Sequence, residues 1–454
     1  MVGFILKIQK MNLKKLLIGM LLIFGILPAS AQDSTLVLSL KQSCQMGIEK
    51  NVNVRNAGLE QEKTRFQLKE TQSKLYPQIE GYSSFNYYYS IPKLIVPGEI
   101  FGQTGLIPIE IGTKFDWSNG FKATQVIYSQ SYFTSLKLAN RMIALNELSM
   151  QQKKEELVYQ VSQVYFLCQT TRMQIAQLKI TMQNTDRLLE IAKLQNENGV
   201  IRKVDYSRVS VNKNNLQTQI DNLGELYNQQ LGLLKYLIGI DVHENIELSD
   251  SLLFSGENIP GNWPELNNRT ELKLLDQQME VSSLNRKINR QSHLPSLSGI
   301  GQFYYQGQRN NFDYFSGEND KFYKVGFVGL SLNIPLFDGF QKRFKTQQND
   351  IEFQQLQNTY EDISRNFSRE YADALSQFKN NFNALIRQKE NIKVAEETYS
   401  VSLQGYRQQV VSLSDLLLSE SSLVEARLSY FNAVLQLKNA ELEVKKAKGE
   451  LLNF

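Results

Sequence analysis

The side chains that most often carry catalysis are scarce in this sequence. It has two histidines, His243 and His293, in unrelated contexts, and no zinc-protease, nucleophile-elbow or phosphate-loop motif occurs. Aspartates and glutamates are spread beside lysines and arginines, which is typical of solvated helix faces. Gly299 and Gly301 lie inside a predicted strand, without the helix that a dinucleotide fingerprint needs. We therefore predict that the protein is not an enzyme and has no cofactor, catalytic residue or metal site.

The thiol chemistry is equally limited. Cys44 and Cys168 are the only cysteines, and their spacing matches no metal or redox motif. They could form one disulfide in an exported protein. The sequence favours the other interpretation, in which they are two small apolar residues buried in helix contacts.

Residues 1–31 form a predicted signal peptide. Four lysines precede an apolar run over 16–27, and a cleavage site follows Ala31; Met11 is an alternative start. Removing these four lysines from the total of 50 leaves 46 Lys and Arg against 46 Asp and Glu, so the remaining chain over 32–454 is neutral. This balance argues against a nucleic-acid partner. No later apolar run reaches the about 18 residues of a transmembrane helix.

The placement of proline separates the predicted helices from the predicted strands. Residues 109–259 and 336–454 contain no proline and have apolar residues at helical spacing. The spacing predicts one long helix from about Ser131 to Asn196, which at 1.5 Å per residue is roughly 100 Å, and a second from about Phe340 to Tyr406. Each long helix ends at a short break and is followed by a return helix, so each break is a helical turn.

Four strands are predicted in two pairs, one pair ahead of each long helix. They span about 77–90, 117–128, 295–307 and 324–337, and loops over 91–116 and 308–323 join them. Apolar and aromatic residues alternate with polar ones along these strands. This period of two is the signal of a barrel strand.

The strands reveal an internal duplication. Placing Pro77 on Pro295 aligns Phe85 with Phe303, and it divides the chain into repeats of about 37–240 and 262–451. Each repeat reads helix, strand, loop, strand, long helix, turn, helix. Four strands are too few for a closed transmembrane barrel, because the smallest have eight. We therefore expect the chain to oligomerise in order to close its sheet.

The order of these segments resembles the TolC-like outer-membrane efflux protein family. The likeness covers essentially the whole chain after the signal peptide. It depends on "LSLKQSCQMGIEKNVNVRNAGLEQE", "KLYPQIEGYSSF", "NENGVIRKVDYSRVSVN", "LLKYLIGI", "SHLPSLSGIGQF" and "SLNIPLFDGF". No single one of these stretches is decisive, and their order, spacing and duplication make the match specific.

The resemblance implies a mainly α fold with a β-barrel portion. A homotrimer would pool four strands per chain into a twelve-stranded outer-membrane β-barrel, continued by a periplasmic α-helical coiled-coil tunnel. The implied function is the exit duct of a tripartite efflux or type I secretion system in a Gram-negative bacterium, passing small molecules, metal ions or proteins. The implied partners are outer-membrane lipid, a periplasmic adaptor and an inner-membrane transporter of the RND, ABC or MFS type.

The resemblance also places the functional residues at the two helical turns, which would form the periplasmic tip. The residues implied at the pore entrance are Asp205, Tyr406 and Asp415. Those implied in the tip turns and in adaptor docking are Gly199, Val200, Val410, Val411 and Ser412. The sequence departs from the family pattern where Gln409 replaces a glycine, Val411 an arginine and Leu418 a second aspartate.

Two interpretations of Asp205 and Asp415 stay open. A threefold ring of carboxylates would attract cations and could bind metal ions that block it. Alternatively, the aspartates cap the return helices and compensate the helix dipole. Capping is the favoured interpretation for Asp205, and neither interpretation is favoured for Asp415.

The segment that connects the second strand to the long helix has a different sequence in the two repeats. "SLNIPLFDGFQKRF" contains Pro335, Asp338 and Gly339, which suit the end of strand pairing and a change of direction. "TQVIYSQSYF", at the same place in the first repeat, has neither proline nor glycine. We expect these two strand–helix seams to bend differently.

A structural or adhesive trimeric coiled-coil protein with a strand anchor is the alternative function. Such an anchor needs strands once, at one terminus. Here the predicted strand pairs interrupt the helices twice, which favours the duct.

Overall fold

The computed structural model of the protein describes residues 35–250, 268–315 and 321–453. The predicted signal peptide over 1–31 and the predicted start of the second repeat at 262 lie outside the described residues. The seven helices are α1 (Leu40–Lys50), α2 (Val52–Ser73), α3 (Gln130–Glu197), α4 (Lys203–Ile238), α5 (Thr270–Gln291), α6 (Gln341–Arg407) and α7 (Leu413–Lys448). The eight strands are β1 (Leu36–Leu38), β2 (Gln78–Tyr87), β3 (Lys93–Pro97), β4 (Leu106–Glu110), β5 (Phe115–Tyr128), β6 (Ile246–Leu248), β7 (Ser296–Arg309) and β8 (Tyr323–Asn333). These numbers refer to the described ranges.

The principal sheet has four antiparallel strands in the order β2-β5-β7-β8. Its register places Phe85 opposite Trp117 and Phe121 opposite Phe303 on one face. The other face carries polar side chains, and there Gln302 Nε2 donates to the Tyr82 hydroxyl at 2.6 Å. The alternation expected from the sequence therefore separates an apolar face from a polar one.

Strand β8 is shorter than the sequence predicts. Pairing with β7 stops at Asn333, which lies opposite Ser296, instead of continuing to residue 337. Pro335 follows two residues later and has no backbone N–H to donate to a neighbouring strand. The missing donor ends the ladder at this point.

The predicted loop over 91–116 contains a hairpin of its own. Strands β3 and β4 pair antiparallel, Leu94 opposite Ile109, and the Gly98 N–H donates to the Gly105 carbonyl at 2.6 Å. Both arms consist largely of apolar residues, several of them β-branched, which favour extended backbone. The prediction of a loop without strands was wrong for this segment.

The helices and strands follow one lateral order. Helix α2 packs against α3, α3 against α5, and α5 against α6, and these helices lead into or out of β2, β5, β7 and β8 respectively. Within the described ranges, the helical layer and the sheet therefore have corresponding free edges. These edges are α2 with β2 on one side and α6 with β8 on the other.

Beyond this layer, the two long helices each fold back on a return helix. Helix α3 pairs with α4, helix α6 pairs with α7, and the two hairpins meet where α3 packs on α7. Apolar residues at spacings of three and four fill these contacts, as in coiled coils. Among the described residues, none of the helices is both long and apolar enough to cross a membrane.

A buried cluster surrounds the start of the chain's described part. The short strands β1 and β6 pair in parallel, and their leucine and isoleucine side chains pack with α1, α3 and α4. Cys44 and Cys168 both lie in this cluster as free, buried thiols. Burial raises the pKa of Cys44 to about 11 and that of Cys168 to about 12, so both stay protonated and unreactive. This confirms the interpretation of the cysteines as buried apolar residues.

Candidate functional site at the helical turns

The two helical turns have the same backbone course. In the first, Val200 N–H donates to the Gln195 carbonyl at 2.8 Å, and in the second, Val410 N–H donates to the Gly405 carbonyl at 2.8 Å. Gly199 and Gln409 occupy the same place and are both left-handed, with φ of 72° and 62°. Such a residue commonly ends a helix by satisfying its last carbonyl groups. Glycine adopts this conformation easily, whereas Gln409 adopts it despite the steric cost of its side chain.

The charged residues of the first turn neutralise one another. Arg202 Nε lies 3.0 Å from Asp205 Oδ2, and Arg208 Nη1 lies 3.8 Å from Asp205 Oδ1. The Asp205 side chain is only 14% exposed. The N-cap position of α4 is Arg202, whose side chain makes no capping bond. Asp205 therefore does not cap the helix; it lies in the first turn, where its charge compensates the helix dipole.

The second turn begins its helix with a side-chain cap. Ser412 is the N-cap of α7, its hydroxyl oxygen accepts from Asp415 N–H at 3.2 Å, and the hydroxyl donates to Asp415 Oδ2 at 2.7 Å. Asp415 itself is exposed. Within the described ranges no lysine or arginine forms an ion pair with it, so its charge is available to solvent.

Contacts between the two turns enclose a small cleft. The Tyr406 hydroxyl donates to Gln195 Oε1 at 3.1 Å, and Arg208 donates to the Ser414 hydroxyl. The cleft between them has a volume of about 360 Å³ and includes Asp205 and Ser412 in its lining. Burial, and next the negative charge of Asp205, raise the pKa of the Tyr406 phenol. Tyr406 therefore stays neutral and acts as a hydrogen-bond donor.

The valines of the turns differ in exposure. Val200 and Val410 occupy corresponding positions and are 58% and 79% exposed. Val411 instead turns back onto Gly405, where an added Cβ would lie 2.5 Å from its Cγ2 atom. The apolar surface that the turns present to a partner is therefore made by Val200 and Val410.

The seam residues lie far from the turns, at the other end of α6. Gly339 and Phe340 are both left-handed, with φ of 66° and 65°, and Asp338 Oδ2 accepts from Lys342 N–H at 3.2 Å. Pro335 lies in the irregular stretch between β8 and α6. In the first repeat a single residue, Ser129, separates β5 from α3, and its hydroxyl accepts from Tyr132 N–H. The two seams differ in conformation, as expected.

Three contributors to the tip were not found from sequence. Gln195 and Arg208 contact the opposite turn, and Gly405 gives room to Val411. The first two are ordinary polar residues on helices that carry many others. A glycine inside an otherwise strong helical pattern was the one available signal. In the described part of the chain, no group of three or more acidic, histidine or cysteine side chains could hold a metal ion.

Sequence comparison identifies the family of this duplicated architecture. The profile of a family described as outer membrane efflux protein matches residues 44–239 and again residues 265–450. The chain belongs to this family. Direct comparison with curated protein sequences found no significant match. The two matched segments correspond to the two repeats that the strands and turns define.

Solved structures of outer-membrane channels have the same fold. The chain is similar to CusC, with 18% identity, a TM-score of 0.73, and coverage of 93% of this chain and 95% of that one. It is similar to the CmeC outer membrane channel of Campylobacter jejuni, with 16% identity, a TM-score of 0.73, and coverage of 90% and 85%. For the open state of the MtrE outer membrane channel of Neisseria gonorrhoeae the values are 16%, 0.72, 90% and 88%.

Membership of the outer membrane efflux protein family confirms several predictions. The protein has the TolC-like fold class, it is an efflux channel of the outer membrane, and it is not an enzyme. Channels of this family are trimers that work with inner-membrane pumps and adaptors. The adhesive alternative is not supported, because both matched segments are efflux-protein repeats.

Proposed function

We propose that this efflux channel is the exit duct of a tripartite pump or a type I secretion system. We also propose that the wall of its pore is completed when three chains join at their free edges. The observation that carries the proposal is the common lateral order of sheet and helices. Among the described residues, β2 and β8 are the edge strands of the principal sheet, and along the chain they adjoin α2 and α6, the edges of the helical layer. Three such sheets supply twelve strands, enough for a closed barrel.

The free helix edges carry apolar residues at intervals of seven. On α2 these are Val52, Leu59 and Phe66, and on α6 they are Phe344 and Ile351, all more than half exposed. An interval of seven residues returns to the same face after two helical turns. The stripes suit packing of α2 from one chain against α6 of the next. A single chain leaves this surface in water, which is costly for so many large apolar side chains.

The same pattern continues toward the helical turns. Val204 and Val211 on α4, and Val394 and Val401 on α6, are exposed at the same interval. Here the free edges of the chain are α4 and α6, because α3 and α7 pack against each other between them. The proposed contacts between chains therefore run along the whole helical part.

We assign the acidic ring of the pore entrance to Asp415 alone. Asp415 is exposed, whereas Asp205 is ion-paired to Arg202 and Arg208. Three Asp415 carboxylates around a threefold axis would attract cations and bind divalent ions. Tyr406 and Gln195 would join the two turns beside this ring. The exposed Val200 and Val410 side chains would be the apolar points at which a periplasmic adaptor docks.

The proposal includes three alternative classes of inner-membrane pump. An RND, ABC or MFS transporter in the inner membrane would supply the energy, since a duct of this kind is passive. The cargo would be small molecules, metal ions or proteins. A pull-down from cells with a tag on the channel would identify the pump, and Val200→Asp with Val410→Asp should remove the adaptor from that complex.

The assembly can be tested with the purified protein. Light scattering should give the mass of three chains, and reconstitution in planar bilayers should give a cation-selective conductance. A stable monomer without conductance would contradict the proposal. A trimer with anion selectivity would retain the duct but remove the acidic ring.

The ring can be tested with a matched pair of variants. Asp415→Asn should weaken block of the conductance by divalent cations at least several-fold, because three exposed charges are lost. Asp205→Asn is the control and should leave the block nearly unchanged, since its charge is already compensated by arginines. Equal effects of the two variants, or no effect of Asp415→Asn, would exclude Asp415 from the ring.

A further inference from the structure

Helix α7 carries one acidic residue in the core between the two hairpins. Leu413, Leu416, Glu420 and Leu423 follow steps of three and four along the face of α7, and all four are buried. Glu420 is 5% exposed and occupies a position that this pattern otherwise fills with leucine. An ionised carboxylate in such a place is costly unless it is paired.

Among the described residues, no lysine or arginine forms an ion pair with Glu420. Its Oε1 atom lies 3.4 Å from the Thr185 hydroxyl of α3, and its Oε2 atom is buried without a hydrogen-bond partner among the described residues. Two ion pairs engage charged side chains of the packed helices with one another. Asp186 of α3 pairs with Lys213 of α4 at 2.7 Å, and Glu396 of α6 pairs with Arg427 of α7 at 2.6 Å.

The Thr185 hydroxyl gives an ionised Glu420 carboxylate little stabilisation. The hydroxyl oxygen lies 3.1 Å from the Thr181 carbonyl, to which it donates, and 3.4 Å from Glu420. A hydroxyl has one hydrogen and can also accept. That one hydrogen is shared between the Thr181 carbonyl and Glu420 Oε1, so Thr185 is a weak donor to an ionised Glu420. Tyr399 of α6 interacts with Glu420 and with Arg407 and Arg427. Burial, and next the negative charge of Glu420, raise the pKa of its phenol, so Tyr399 is neutral.

We propose that Glu420 is a proton-binding residue that controls the packing of the two helical hairpins, α3 with α4 and α6 with α7. The neutral carboxylic acid packs between α3 and α7, and loss of its proton loosens this contact. The site lies within one chain, with Glu420 about 12 Å along α7 from Ser412 at 1.5 Å per residue, and does not depend on the assembly proposed above.

The direction of the pH effect follows from burial. Desolvation raises the pKa of the Glu420 carboxyl from its usual value of 4.5 to about 7, offset in part by the Thr185 hydroxyl. The contribution of the protonated acid to hairpin packing is therefore complete below pH 4.5 and is lost as the pH rises through about 7. A duct exposed to changing pH would hold its hairpins together in acid and release them in mild alkali.

Hydrogen exchange on the intact protein tests this proposal. We take the pKa of Glu420 as about 7 in the packed state and 4.5 in the open state. The equilibrium constant for opening of the segments around Thr185 and Glu420 should then increase about tenfold from pH 6 to pH 8, after correction for intrinsic exchange. Glu420→Gln, which keeps the shape without the titration, should remove this increase. Glu425→Gln, an exposed position on the same helix, should leave it unchanged.

Two further measurements keep the proposal falsifiable if the glutamine variant fails to fold. Glu420→Leu restores the apolar pattern of α7 and should also abolish the pH dependence. Infrared spectroscopy of the unmodified protein should show a protonated carboxyl band that disappears near pH 7 and is absent from the leucine variant. A pH dependence that persists in both variants, or a band that disappears near pH 4.5, would overturn the proposal.

Discussion

The internal duplication produces two helical turns and two strand–helix seams. The two turns have matching backbone conformations, whereas the two seams differ. At the helical turns, the bonds from Val200 to Gln195 and from Val410 to Gly405 have the same length. At the strand–helix seams, one repeat passes from β5 to α3 through Ser129 alone, and the other uses seven residues, 334–340.

The difference shows what constrains each joint. A helical turn is closed by hydrogen bonds among neighbouring residues, so two different sequences can reach one conformation. A seam must connect a strand to a helix whose positions are set by other elements. Strand β5 lies between two partners, whereas β8 is an edge strand that ends early at Asn333. The second seam therefore needs extra residues to reach the start of α6.

Among variants that test the similarity of the two turns, Gly405→Ala should have the largest effect on stability. The added Cβ would lie 2.5 Å from Val411 Cγ2, so the second turn must shift. We expect the free energy of opening of this turn, measured by hydrogen exchange, to fall by about 1–3 kcal/mol. Gly224→Ala in α4 is the control, because no described atom lies near the added Cβ. It should raise helix stability by about 0.5–1 kcal/mol. Similar results for both variants would show that Val411 does not constrain the turn.

A reciprocal pair should test whether the turns share one conformation. Gln409→Gly should stabilise the second turn by about 1–2 kcal/mol, because glycine adopts a φ of 62° without the steric cost of a side chain. Gly199→Ala should destabilise the first turn by a similar amount, since its φ is 72°. Hydrogen exchange of the two turns would report both changes. Changes of the same sign would contradict the equivalence of the turns.

At the first seam, Ser129→Ala should lower the stability of the start of α3 by about 1 kcal/mol. The Tyr132 N–H lies in the first turn of α3 and donates to the Ser129 hydroxyl oxygen at 3.4 Å, a bond that alanine cannot make. Exchange of the amides over 130–134 measures the effect. Ser135→Ala should change little, because that hydroxyl only donates to a carbonyl of its own helix. An unchanged first turn of α3 in Ser129→Ala would show that the strand, and not the cap, positions the helix.

The smallest effect should come from Tyr406→Phe, which removes the hydrogen bond to Gln195. Because the contact is partly exposed, we expect a loss of about 0.5 kcal/mol in the packing of one turn on the other. Tyr399→Phe is the control in the same apolar cluster, as the described residues show no hydrogen bond from its hydroxyl. Equal responses would mean that the turns are held together by apolar packing alone.

Much of the fold was predictable because helical and strand periodicities are local. The long helices begin and end within a few residues of the predicted positions, and three of the four barrel strands lie close to theirs. The β3–β4 hairpin was missed because its apolar arms lack a clear alternation. The β1–β6 pair was missed because three residues are too few to show a period.

The candidate site was predictable only in part. The breaks at Gly199 and before Ser412 showed where the turns lie, since a helix stop and a helix cap have local signatures. The different states of Asp205 and Asp415 were not visible. Two arginines three residues before and after Asp205 neutralise it in the folded turn. Many exposed helical aspartates have such neighbours without forming the pair.

The sequence by itself determined the duplicated order of strands and helices, the export-duct family and the position of both turns. These properties depend on the periodicity of apolar residues and on the backbone limits of proline and glycine, which act within a few residues. Only the tertiary structure decided that β8 and α6 form the free edge opposite β2 and α2, and that Glu420 is buried against Thr185. Those facts join residues more than 200 positions apart, and no local preference specifies which distant helix covers a side chain.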